Sequence, residues 1–207
     1  MKPSRPMTLL ALAAPHAAHA ATAAPKQAGP FALRIADSRD AALNGRFLSS
    51  CHAGAGIEVL CYAAAGSPGG TAADAAQYYF NTTADGTGVL YWNLPIGGAG
   101  GQAELVPSAV RLEPRPDSDL APAMLYPGAE RATALAFDRR GRVFVTAPYD
   151  EATFAAGDRP RPKQVRLYRW QACWNFAGGY YYPTINWAAG AGRPRNPTCV
   201  AVNITKV

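Results

Sequence analysis

The 207-residue chain is 49% hydrophobic and 16% charged, with a formal charge of +6. That balance excludes a disordered polyelectrolyte, and the basic residues are scattered or alternate with prolines, which suits solubility better than nucleic-acid binding. No stretch approaches the roughly 18 uninterrupted apolar residues of a membrane span, so no transmembrane anchor is expected.

The first twenty residues read as a signal peptide. Lys2 and Arg5 form a basic start, "MTLLALAA" a short apolar segment, and "AHA" at 18–20 a small-x-small cleavage pattern. Residues 21–30, "ATAAPKQAGP", read as a flexible leader, so that 31–207 forms a single secreted domain. From Phe31 onward, short runs rich in β-branched and aromatic residues alternate with Gly, Pro, Asn and Asp clusters, and no helical stripe is sustained. The fold class is therefore all-β.

In chain order, strands are expected at 31–36, 46–51, 57–63, 76–82, 88–94, 108–114, 133–138, 142–147, 165–173, 182–188 and 199–207. "DRRG" at 138–141 is a hairpin loop whose Gly141 supplies a positive φ. "SPGGTAAD", "GGAGG" and "AAGDRPRPK" are loops by composition. A single antiparallel domain of about 10–12 short strands forms either a two-sheet sandwich or a β-trefoil. The sandwich is favoured because no threefold repeat is visible. In the last strand, Val200, Val202 and Ile204 share the buried face, which turns Cys199, Asn203 and Thr205 outward.

Four cysteines, Cys51, Cys61, Cys173 and Cys199, suit two disulfides in an oxidising compartment. Pairing nearest neighbours gives Cys51–Cys61 and Cys173–Cys199; the crossed pairings remain open. Asn81-Thr82-Thr83 and Asn203-Ile204-Thr205 are N-glycosylation sequons, whereas Asn196 is followed by Pro197 and is excluded.

Catalytic constellations are sparse. His16 and His19 lie in the signal peptide, leaving His52 alone, which argues against a histidine zinc site or a Ser-His-Asp triad. The acidic pairs Asp117/Asp119 and Asp150/Glu151 sit in Pro-flanked loops, where acids serve turns and solvation. Glu58 is an acid in an apolar strand with no evident carboxylate partner for glycoside hydrolysis. No phosphate loop, dinucleotide fingerprint or calcium loop occurs, so neither a cofactor nor a metal is expected.

The densest chemistry is "RWQACWNFAGGYYYPTINW", residues 169–187, which holds three of the four tryptophans. Alternation puts Tyr168, Trp170 and Trp174 on one face, with Trp170 in the core. After two glycines, three consecutive tyrosines cannot all point inward, and Tyr181 is the one expected to be exposed. Tyr180, Tyr181, Tyr182 and Trp187 are the candidate ligand-stacking residues, with packing at a sheet end as the alternative use of the same rings.

Together, "NGRFLSSCHAGAGIEVLC", "YYFNTT" before "GVLYWNLP", "YPGAERATALAFD", "YRWQAC" and "RPRNPTCVAVNITKV" resemble a group of secreted fungal proteins of unknown function. The resemblance runs from Phe31 to Val207 and implies an extracellular or cell-wall setting without assigning a catalytic residue. Three functions stay open: a non-catalytic, disulfide-stabilised glycoprotein of the cell wall or medium, a lectin-like module binding cell-wall polysaccharide, or a secreted effector binding a host or competitor protein.

Overall fold

The structure, a computed structural model, describes residues 26–63, 75–97 and 103–207. The expected signal peptide, the first half of the leader, the loop at 67–74 and most of "GGAGG" lie outside these residues. Fifteen strands are described: β1 (Lys26–Phe31), β2 (Leu33–Ala36), β3 (Leu48–Gly54), β4 (Ile57–Tyr62), β5 (Tyr78–Thr82), β6 (Gly88–Gly97), β7 (Ala103–Leu112), β8 (Leu120–Pro127), β9 (Ala136–Phe137), β10 (Val143–Ala147), β11 (Val165–Leu167), β12 (Trp170–Ala177), β13 (Tyr180–Ala188), β14 (Val200–Ala201) and β15 (Asn203–Lys206). A single 3-10 turn spans Glu151–Thr153.

The strands form one ten-stranded sheet in the order β1-β5-β6-β7-β8-β4-β13-β12-β14, with β3 paired to β4, and two small sheets, β11-β10-β9 and β15-β2. Strand pairing is antiparallel and the sheets do not close, consistent with a β sandwich and not with a trefoil barrel. Leu33, Ile35 and Ile204 from the two-stranded sheet and Val143 from the three-stranded one meet Val110, Leu125 and Ile185 of the large sheet in one core. Fully burying each such side chain contributes about 1.5–3 kcal/mol.

Several elements depart from expectation. The leader's second half is not free: Lys26–Phe31 is strand β1, paired with β5 from Lys26↔Thr82 to Phe31↔Tyr78. Its polar residues lie on a sheet edge, where only Phe31 is buried. Strand β8 has no counterpart in the sequence reading, because Leu120 to Leu125 are all buried and show no polar alternation, and Pro122 interrupts the run. The run expected at 165–173 breaks between Leu167 and Trp170, where the chain leaves the three-stranded sheet for the large one. Trp170 clamps that crossing by donating its indole N–H to the Val143 carbonyl at 2.8 Å.

Asp138 holds the β9–β10 hairpin together. Its carboxylate accepts from the Arg140 and Arg142 backbone N–H groups (2.8 and 3.0 Å), the Arg142 Nε (2.8 Å) and the Tyr168 hydroxyl (3.0 Å). Gly141 closes the turn at φ +76°, as expected. Burial is the largest single influence on this carboxyl and raises it, but the donors together outweigh burial and hold it at about 2, against an ordinary 3.8. A depressed carboxyl pKa stabilises the fold fully above the unfolded value and progressively less as pH falls from about 3.8 toward about 2. Asp138→Asn should therefore cost about 2 kcal/mol at neutral pH and flatten the acid limb of the stability–pH curve, measured by urea denaturation from pH 7 to 2.

Candidate aromatic binding site

The β12–β13 hairpin pairs Trp170↔Trp187, Ala172↔Ile185, Trp174↔Pro183 and Phe176↔Tyr181, so these residues share one face. Its inner half belongs to the core: Trp170, Ala172 and Ile185 are buried, and Trp187 packs edge-on against Trp170 at 5.0 Å. Its outer half runs past the core. There Trp174, Phe176 and Tyr181 are 54%, 41% and 63% exposed. The Trp174 and Tyr181 rings lie 14° from parallel with centroids 6.5 Å apart, and Phe176 abuts Tyr181 at 5.0 Å.

This ledge is rigidly mounted. The turn is Gly178-Gly179, with φ +60° and +97°, conformations in which a side chain would be strained. Beneath Trp174, the Thr198 hydroxyl accepts from the Trp174 N–H at 3.1 Å, and Asn196 Nδ2 donates to the Trp174 carbonyl at 3.0 Å. Arg115 donates to the Phe176 carbonyl at 3.4 Å.

Beside the ledge, Phe176 borders a groove of about 360 Å3 with an apolar floor of Met124, Ile57 and Ala177. Glu113, Arg115 and Tyr126 supply its polar wall. The Tyr126 hydroxyl donates to Glu113, whose other oxygen accepts from Arg111 at 3.2 Å. Burial, reinforced by Glu113, pushes the Tyr126 phenol up to about 12, so it stays a donor at any ordinary pH.

Of the four expected stacking residues, Tyr181 alone lies on the ledge. Tyr180 and Tyr182 occupy the opposite face of the hairpin, their rings 5.9 Å apart. Tyr180 meets the edge of His52 at 5.4 Å, and Tyr182 packs against the small cluster of Ala53, Val59, Met124 and Ala177. Trp187 sits on the ledge's face but at the core end. The other two members are Trp174, expected on the face of Trp170, and Phe176, which continues the same alternation two residues on; the sequence does not show that the core stops short of both.

The remaining candidates have structural partners. Asp117 pairs with Arg115 through both oxygens (3.1 and 2.8 Å), and the Asp119 carboxylate accepts from the Arg195 N–H at 2.9 Å. Asp150 caps the 3-10 turn and takes Arg169 at 2.8 Å, with Glu151 in that turn's first position. Glu58 faces His52 across β3–β4 at 3.7 Å; burial raises its carboxyl, against the opposing pull of His52. No cluster of three or more metal-ligating side chains occurs among the described residues. Both disulfides join the sequence neighbours, Cys51–Cys61 and Cys173–Cys199. Cys199, expected on the outer side, is buried with Cys173 and Leu120, because its disulfide ties it to the fully buried Cys173.

The model of a family described as "Domain of unknown function (DUF7907)" matches residues 28–207. The chain belongs to this family. No curated protein and no solved structure matches it. For this DUF7907 member the chemistry therefore has to be read from its own side chains. These are three exposed rings on a braced hairpin, beside a groove with one carboxylate, one guanidinium and one phenol.

Proposed function

We propose that this is a secreted, non-catalytic extracellular or wall-associated protein that binds polysaccharide on the Trp174–Phe176–Tyr181 ledge. The observation that carries the reading is the exposure of three aromatic rings on one braced strand face. Soluble proteins rarely leave such rings contiguous and uncovered without a partner. A pyranose presents weakly positive C–H groups to the electron-rich face of an aromatic ring, and rings with two side-chain torsions lose little entropy on binding. Glu113, Arg115 and Tyr126 in the adjoining groove offer acceptors and donors for hydroxyl groups.

Export is supported by the N-terminal pattern and the two disulfides, and among the described residues no helix is long and apolar enough to cross a membrane. Glycans are expected at Asn81 on β5 and Asn203 on β15, both partly exposed. Asn203 Nδ2 donates to Asp37 at 2.9 Å, a contact that a glycan would replace.

The test is a pull-down on insoluble chitin, β-glucan, mannan and cellulose at low and high salt. One polymer should retain the protein at both salt concentrations, and Tyr181→Ala or Trp174→Ala should each weaken retention about three- to tenfold with little change in melting temperature. Retention that vanishes with salt, or that survives both substitutions, removes the ledge from the account. Binding to no polymer would turn the reading toward a protein partner.

A further inference from the structure

On the other face of β12 lies a cavity of about 480 Å3, lined by Arg39, Arg193, Gln171, Gly192 and the start of β14. Its size falls in the range of about 300–1,000 Å3 common to small-ligand sites. From Arg39 and Arg193 at this cavity, together with the amide of the largely buried Gln171, we infer a second binding site, for a small hydroxylated molecule bearing a phosphate or carboxylate.

Both arginines come from loops whose backbones are already fixed. The Arg39 loop is closed by Asn44, which accepts from the Ser38 N–H at 2.8 Å and donates to the Ser38 carbonyl at 3.1 Å; the Asp40 carboxylate accepts from the Ala42 N–H at 2.9 Å. The Arg193 loop is tied to Asp119, whose carbonyl accepts from the Ala189 N–H and whose carboxylate accepts from the Arg195 N–H, each at 2.9 Å. Pro194 between them is buried. By contrast, neither the Arg39 nor the Arg193 guanidinium has a hydrogen-bond acceptor or an ion-pair partner among the described residues, and no acid lines the cavity.

Gln171 is the independent sign of a ligand. It is 8% exposed, yet its side-chain amide hydrogen-bonds to no described residue. The amide stands at the cavity wall, where it can offer both a donor and an acceptor to a bound hydroxyl. Two guanidiniums give forked donors that match the oxygens of a phosphate or carboxylate, and one amide gives a donor and an acceptor for a neighbouring hydroxyl. Cys199 forms part of the wall and is tied by its disulfide to Cys173 on β12, so one side of the site is covalently anchored. It is separate from the aromatic ledge and does not depend on polysaccharide binding there.

The test follows the Gln171 side-chain amide by NMR while glucose 6-phosphate, glucuronate, inorganic phosphate or glucose is titrated into the intact protein. At least one of the two acidic sugars should shift that amide saturably at low salt, with glucose silent. Which one binds more tightly distinguishes a phosphate from a carboxylate ligand. Arg39→Gln and Arg193→Gln, both on exposed side chains, should each weaken binding about tenfold and together abolish it, with the melting temperature unchanged. If neither acidic sugar moves the Gln171 amide at millimolar concentration, or if the double variant binds as the parent does, the inference is wrong.

Discussion

Gly178→Ala is expected to destabilise the protein by about 3 kcal/mol and to lower its melting temperature by roughly 10 °C. A Cβ at this position would lie 1.9 Å from the Ala53 carbonyl oxygen and 2.5 Å from its carbon. Both are backbone atoms of β3, which no rotamer change can remove. The φ of +60° adds about 1 kcal/mol for any L side chain, and relieving the contact adds about 1–3 kcal/mol. Gly179→Ala is the internal control: at φ +97° with nothing within 4 Å of its Cβ, it carries only the conformational part. Urea denaturation of the two variants isolates the contact. Equal losses would mean that the turn moves off β3 at no cost and that the ledge is not seated there. If the seat is real, Gly178→Ala should also reduce polymer retention, because Phe176 and Tyr181 lie only one pair in from the turn, beside Ala177↔Tyr180.

The same hairpin shows what the sequence could and could not convey. Alternation is a property of the chain, so the shared face of Trp170 and Trp174 was readable, and so was the class of fold; Tyr168, expected on that same face, lies instead in the break between β11 and β12. Which part of that face is covered depends on strands distant in sequence. The core ends near Ala172↔Ile185, and nothing in "WQACWNF" marks the place. Strand β8 failed to register for a related reason: buried on both sides, it lacks the polar-apolar alternation that identifies half-exposed strands. The pairing of Tyr180 and Tyr182 with His52 and the second apolar cluster needed the β3–β4 hairpin to arrive beneath β13. Turn chemistry, by contrast, is local, and Gly141 was identified from four residues. The cavity at Arg39 was not legible at all, since it assembles residues from near both ends of the fold.

Replacing Cys173 and Cys199 together by Ala should cost about 3.5 kcal/mol by chain entropy alone, the value for a closed loop of 26 residues. Replacing Cys51 and Cys61 should cost less, about 3 kcal/mol at most, for a loop of 10 residues. The difference widens on structural grounds. Cys51 and Cys61 already sit in one antiparallel hairpin, β3–β4, whose local pairing persists in part in the denatured ensemble and reduces what the cross-link removes. Cys173, fully buried, packs with Cys199 and Leu120, so truncation there also leaves a void. Denaturant melts of the two double variants under matched conditions should rank them in that order. A larger loss from the Cys51/Cys61 change would show that the hairpin, not the loop before β14, is the weaker element. The Cys173–Cys199 loop also carries Arg193 and supplies the Asn196 and Thr198 bonds beneath Trp174. Its release should therefore loosen the cavity and the ledge together, two surfaces on opposite faces of β12 that share no side chain and one covalent brace.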